Sequence, residues 1–99
     1  MEEIINFYGK KTQCNQAMEE CGELIVAINK CLRYPNDDQC RNNLIEEMAD
    51  VTIMLEQLSI MFEIDEVELQ SMIDFKEARI FKRLRYEKSK REKVQQYGS

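Results

Sequence analysis

Histidine and tryptophan are absent from this chain, proline occurs once and glycine three times in 99 residues. Without histidine there is no His-liganded zinc, no Glu-x-x-His pair of the kind that builds di-iron bundles, and no Ser-His-Asp relay. A metal held here by carboxylates alone is a hard one: Mg²⁺, Mn²⁺ or Ca²⁺. The scarcity of glycine and proline leaves few tight turns and points to an all-helical protein. No uncharged stretch approaches the roughly 20 apolar residues that a membrane span needs. The start, MEEIINFYGKK, has neither the basic opening nor the apolar core of a signal peptide. A soluble, cytoplasmic protein is therefore expected. The four cysteines (Cys14, Cys21, Cys31, Cys40) form no CxxC pair. They are expected to be reduced, small core residues, neither disulfides nor ligands.

What is present is a chain sized for one domain, residues 1–99, with 43% apolar residues to fill one core. The net charge of −5 conceals an asymmetry. Residues 76–93 carry nine of the fourteen Lys and Arg and three of the nineteen Asp and Glu, so this segment is +6 and the remainder −11. Most of those charges belong to solvated helix faces. An acidic body with a basic final helix can also hold a metal and a phosphate together.

The stretch Asn43 to Leu58, NLIEEMADVTIMLEQL, has the period of a helix. At about 100° per residue, Asp50, Val51, Met54 and Leu58 all fall within about 60° of Glu47. Two acids thus share a stripe with apolar side chains. The same arrangement occurs earlier, where Glu20 and Glu23 share a face with Leu24, Ala27 and Cys31. Burying an isolated ionised carboxylate is costly unless it is paired or bound to a metal. Two helices, each with acids at i and i+3 on the inner face, can form a four-carboxylate cage.

In chain order, Glu2 to Tyr8 predicts a short amphipathic helix, broken at Gly9. Thr12 is positioned to cap a second helix that reaches about Leu32. Gln13 and Gln16 project on the side of Glu20 and Glu23; they are either polar contacts for a ligand or the wet end of the stripe. Arg33 to Asp38 forms a loop, since Pro35 disfavours helix at Tyr34 and Asn36 or Asp37 can cap the next helix. So short a loop predicts an antiparallel hairpin that brings the acidic pairs face to face. The central helix is expected over about Asp38 to Phe62. Asp65 and Glu68 resemble a capping box ahead of a last helix running from about Glu66 to beyond Tyr86. Its inner face carries Leu69, Met72, Ile73, Ile80 and Leu84, with Lys76, Arg79 and Arg83 on or beside that stripe. From about residue 87 the apolar period is lost, and a fraying tail over 87–99 is expected. The fold class is therefore all-α: three long helices in an antiparallel bundle, plus a short N-terminal helix.

Taken together, these residues resemble the all-α nucleoside triphosphate pyrophosphohydrolases, the MazG-like group. The pattern E-E-x-x-E, a spacer, then E-x-x-D stands here as Glu19-Glu20-Cys21-Gly22-Glu23, 23 intervening residues, and Glu47-Met48-Ala49-Asp50. Tyr8-Gly9, Gln13, the EECGEL and NLIEEMADV stretches and the Lys76/Arg79 pair extend the resemblance over roughly residues 5–85, to small stand-alone members of the group. A single ExxE carries no weight; the double motif does. The resemblance implies hydrolysis of nucleoside or deoxynucleoside triphosphates to monophosphate and pyrophosphate, with Mg²⁺ or Mn²⁺. It implies that Glu20, Glu23, Glu47 and Asp50 hold the metal and that Glu19 is a further ligand or the base that orients the attacking water. Lys76 and Arg79 would meet phosphate oxygens, with Gln13 a further substrate contact. It also implies a homodimer or homotetramer.

Two other classes compete. A non-catalytic helical module that binds a partner through its Met-rich face would leave four inward acids without a purpose. A nucleic-acid binder using the basic last helix would have to overcome the acidic remainder, and no recognised nucleic-acid motif is present.

Overall fold

In the computed structural model, residues 1–97 are described, and among them there are four helices and no strand. These are α1 (Glu2–Tyr8), α2 (Lys10–Arg33), α3 (Asp38–Met61) and α4 (Glu66–Tyr97). Contacts within the chain cluster into two units, Met1–Ile64 and Asp65–Ser99.

In the first unit α1 ends at Gly9, whose amide donates to the Ile5 carbonyl at 2.8 Å and whose φ is +91°. That backbone suits glycine, which has no Cβ to clash. Helix resumes at once, so α2 starts at Lys10 with Gly9 as its N-cap, and Thr12 lies inside the first turn instead of capping it. α2 and α3 are joined by Tyr34–Asp37 and pack along each other as the antiparallel hairpin the short loop demands. Asp37 is the cap: its carboxylate accepts from the Gln39 and Cys40 amides at 2.8 and 3.4 Å, satisfying orphan donors of the first turn.

The seam of the hairpin follows a near-heptad rhythm. From α2 it takes Gln13, Ala17, Glu20, Leu24, Ala27 and Cys31; from α3, Cys40, Leu44, Glu47, Val51, Met54 and Gln57, all buried or half-buried. Ala17, Ala27 and Met54 form the buried apolar core, and the small alanines let the helix backbones approach. Facing partners have residue numbers that add to 70 or 71, as Gln13 with Gln57 and Cys31 with Cys40 do. Lys10 closes the open end, its ammonium 4.2 Å from the centroid of the Phe62 ring. The four cysteines are free, but none lies in the buried core: Cys14, Cys31 and Cys40 are half-buried and Cys21 is exposed.

α3 ends one residue earlier than the sequence suggests, at Met61, in a Schellman arrangement. Glu63 and Ile64 donate their amides to the Ile60 and Ser59 carbonyls at 3.3 and 2.8 Å, and Glu63 adopts the left-handed φ of 53°. This position normally favours glycine.

In the second unit Asp65 caps α4 by accepting from the Val67 amide at 3.0 Å. The reciprocal half of a capping box, from Glu68 back to the Asp65 amide, is not formed among the described residues. α4 continues to Tyr97, past the point where the apolar period ends. Glu, Lys, Arg and Gln are strong helix formers that hold a helix without an apolar face. Glu87 with Arg91 and Lys88 with Glu92 also have the favourable i, i+4 charge spacing. The expected tail thus enters α4 as far as residue 97, and its last two residues, 98 and 99, lie outside the described residues.

Candidate metal centre

The site is assembled by the hairpin register. α2 presents Glu20 and Glu23 one turn apart, α3 presents Glu47 and Asp50 in the same way, and the antiparallel pairing sets Glu20 opposite Asp50 and Glu23 opposite Glu47. One carboxylate oxygen from each of Glu20, Glu23 and Glu47 lies within 4.8 Å of the other two. Asp50 stands outside that three-way group, yet near enough to add its charge to both Glu20 and Glu47.

This arrangement is electrostatically unfavourable as it stands. Burial, then the charges of Glu23 and Asp50, push the Glu20 carboxyl above its ordinary range, against the opposing hydrogen bond from Gln16. Burial, then Glu23, Asp50 and Glu20, push Glu47 up likewise. The Gln16 amide donates to Glu20 Oε1 at 2.7 Å, but Glu20 Oε2 and Glu47 Oε2 are shielded from solvent and have no hydrogen-bond partner. Buried acceptors are ordinarily satisfied, so two orphaned oxygens in one acidic cluster call for a donor or a cation. Oxygens sharing one hard cation stand no more than about 5 Å apart, and separations of at most 4.8 Å meet that limit. The donor set therefore fits a hard divalent ion.

The remaining site candidates divide. Glu19 is exposed on α2 beside Glu20 and is not a member of the carboxylate group. Gln13 is buried and donates its amide to Gln57 Oε1 at 2.8 Å. Lys76 and Arg79 are exposed on α4, in the second unit, where they line a surface groove with Ile80, Lys82, Arg83 and Tyr86. The Arg79 guanidinium lies 5.9 Å from the Phe75 ring centroid. Gln57 is a polar seam residue that the sequence reading misses. Its signal is available, since it falls seven residues after Asp50 and thus on nearly the same helix face.

Helices alone, with carboxylates gathered on the hairpin seam and suited to a hard cation, define the class. Residues 9–83 match the MazG nucleotide pyrophosphohydrolase domain. The chain belongs to that family, and its all-α fold is MazG-like. No curated protein and no solved structure matches the chain.

Proposed function

We propose that this protein is a metal-dependent nucleoside triphosphate pyrophosphohydrolase, converting a nucleoside or deoxynucleoside triphosphate and water to the monophosphate and pyrophosphate. The observation that carries the reading is the set of three converging carboxylates with two buried, partnerless oxygens. The family membership supplies the reaction class.

In this reading Glu20, Glu23, Glu47 and Asp50 hold Mg²⁺ or Mn²⁺. When bound, the cation supplies charge neutralisation for the triphosphate and a lowered pKa for a water. Gln16 holds the Glu20 carboxylate in place from the side. Glu19 orients the attacking water or accepts its proton, or else adds a further ligand. Lys76 and Arg79 pair with phosphate oxygens, and Gln13 is a substrate contact only if its bond to Gln57 is exchanged. Phosphoryl chemistry of this kind is mostly positioning and charge neutralisation, which these residue types provide.

The same reading takes residues 1–99 as one working domain in the cytoplasm. Among the described residues no helix is long and apolar enough to cross a membrane. It takes the chain as a homodimer or homotetramer. Ile25, Leu32, Met48 and Leu55 are 61, 76, 54 and 55% exposed on the hairpin, surface that a lone chain leaves in water. Light scattering at micromolar concentration should give a multiple of 11.8 kDa; the single-chain mass would refute the assembly.

The deciding test is pyrophosphate release from a panel of canonical and modified NTPs and dNTPs with Mg²⁺, Mn²⁺ or EDTA, beside a Glu47→Gln control. Metal-dependent release that the variant loses supports the reading. No release from any nucleotide, with no metal-induced rise in melting temperature, favours the helical binding module.

A further inference from the structure

Cys31 is the third residue from the end of α2 and Cys40 the third residue of α3, on opposite sides of the Tyr34–Asp37 loop. They occupy facing positions of the same register that pairs Gln13 with Gln57. The contact is direct: the Cys31 thiol donates to the Cys40 carbonyl at 3.2 Å. Both residues are half-buried and both thiols are free. A disulfide needs Cα atoms within about 7 Å, a separation that a thiol resting on its partner's carbonyl permits. Sulfur-to-sulfur closure then calls for rotation about the side-chain torsions.

We propose that Cys31 and Cys40 are a reversible oxidation site that closes to an intrachain disulfide and clamps the α2–α3 hairpin at its loop end. The oxidant is a low-molecular-weight disulfide such as oxidised glutathione. The Cys31 thiolate attacks one glutathione sulfur, forming a mixed disulfide and expelling one glutathione thiolate. The Cys40 thiolate then attacks the Cys31 sulfur and expels the second. Two protein thiols lose two protons and two electrons, and one oxidised glutathione becomes two reduced glutathiones. Burial, then the neighbouring Asp37 carboxylate, push the Cys40 thiol up, which lowers its thiolate fraction; its proximity to the Cys31 mixed disulfide offsets this in the second, intramolecular step. The clamp restricts the unfolded chain and holds the register against the mutual repulsion of the carboxylates further along the seam. The site is independent of the proposed enzymatic activity.

The test treats the reduced full-length protein with oxidised glutathione. Thiols titrated after denaturation should fall from four per chain to two. A non-reducing tryptic map should show Cys31–Arg33 joined to the peptide of residues 34–41, and the melting midpoint in EDTA should rise by several degrees. Cys31→Ser and Cys40→Ser should each abolish the linkage, and a Cys14→Ser/Cys21→Ser variant should retain it. Four remaining thiols, stable glutathione adducts without a cross-link, or bridges between chains or through Cys14 or Cys21 would each overturn the proposal. The map is made on the unsubstituted chain, so it decides the matter even where a serine variant fails to fold.

Discussion

Gln13 donates its side-chain amide to Gln57 Oε1 at 2.8 Å, with both side chains buried between α2 and α3. The pair fixes the register of the hairpin from the end opposite the loop. About two turns along each helix that same register carries Glu20 towards Asp50, and about three turns along it carries Glu23 towards Glu47.

Breaking this bond from one side should be costly, and removing it from both sides should not. Gln57→Leu leaves the Gln13 amide buried without a partner and should destabilise the protein by about 1–3 kcal/mol. Replacing both glutamines by leucine should recover most of that loss, since no polar group is stranded. Denaturant unfolding of the two singles and the double measures the coupling; additive losses would show that the bond does not join the helices. Pyrophosphate release by the stable double variant then reports whether Gln13 also serves a substrate.

Glu47→Gln should have opposite effects on stability and activity. In EDTA it removes one charge from a cluster that already repels itself, so the melting temperature should rise. Activity should fall more than ~100-fold, because even outer partners of a metal ligand cost 10–100-fold. Thermal melts with and without Mg²⁺, run beside the pyrophosphate assay, check both halves. A variant that keeps its Mg²⁺-induced stabilisation would remove Glu47 from the ligand set.

The metal-free protein should gain stability as the pH falls from neutrality. Glu20 and Glu47 both bind their protons more tightly in the folded chain than at the ordinary value of 4.5. Between 4.5 and those raised values the folded state holds more protons than the unfolded one, so unfolding free energy decreases as pH rises. Above the raised values the penalty is complete; below 4.5 nothing further is gained from these two groups. Mg²⁺ competes with the protons and should flatten or reverse the slope. Comparison with a Glu20→Gln/Glu47→Gln variant isolates the contribution, and equal slopes in variant and parent would refute it.

Glu63→Gly should stabilise the first unit. Glu63 closes α3 at a φ of 53°, a conformation that costs a side-chain-bearing residue roughly 1 kcal/mol and costs glycine almost none. The unfolded glycine chain is more flexible, which trims the gain without reversing it. A melting temperature lower than the parent's would show that the Glu63 side chain contributes something beyond its backbone conformation.

Much of this architecture is legible in the residues. Pro35 and Asp37 mark the hairpin turn, Gly9 the first break, and the repeat of an acidic pair ahead of apolar positions marks both seam faces. Where the structure departs from those signals, a local preference is outweighed. Thr12 has the chemistry of a cap, but the helix has already restarted at the positive φ of Gly9. The segment after Glu87 lacks an apolar face, yet its composition sustains α4 to Tyr97.

By itself, then, the sequence determined the helices, their breaks, the choice of carboxylates over histidines and hence the hardness of any metal they hold. Tertiary structure decided which residues meet. A helical stripe repeats every few residues, so sliding α3 along α2 by two turns would keep apolar side chains facing one another while exchanging every polar partner. The four-residue loop selects one of those settings. In that setting Gln13 commits its amide to Gln57, Cys31 rests on Cys40, and two carboxylate oxygens are left buried without a donor.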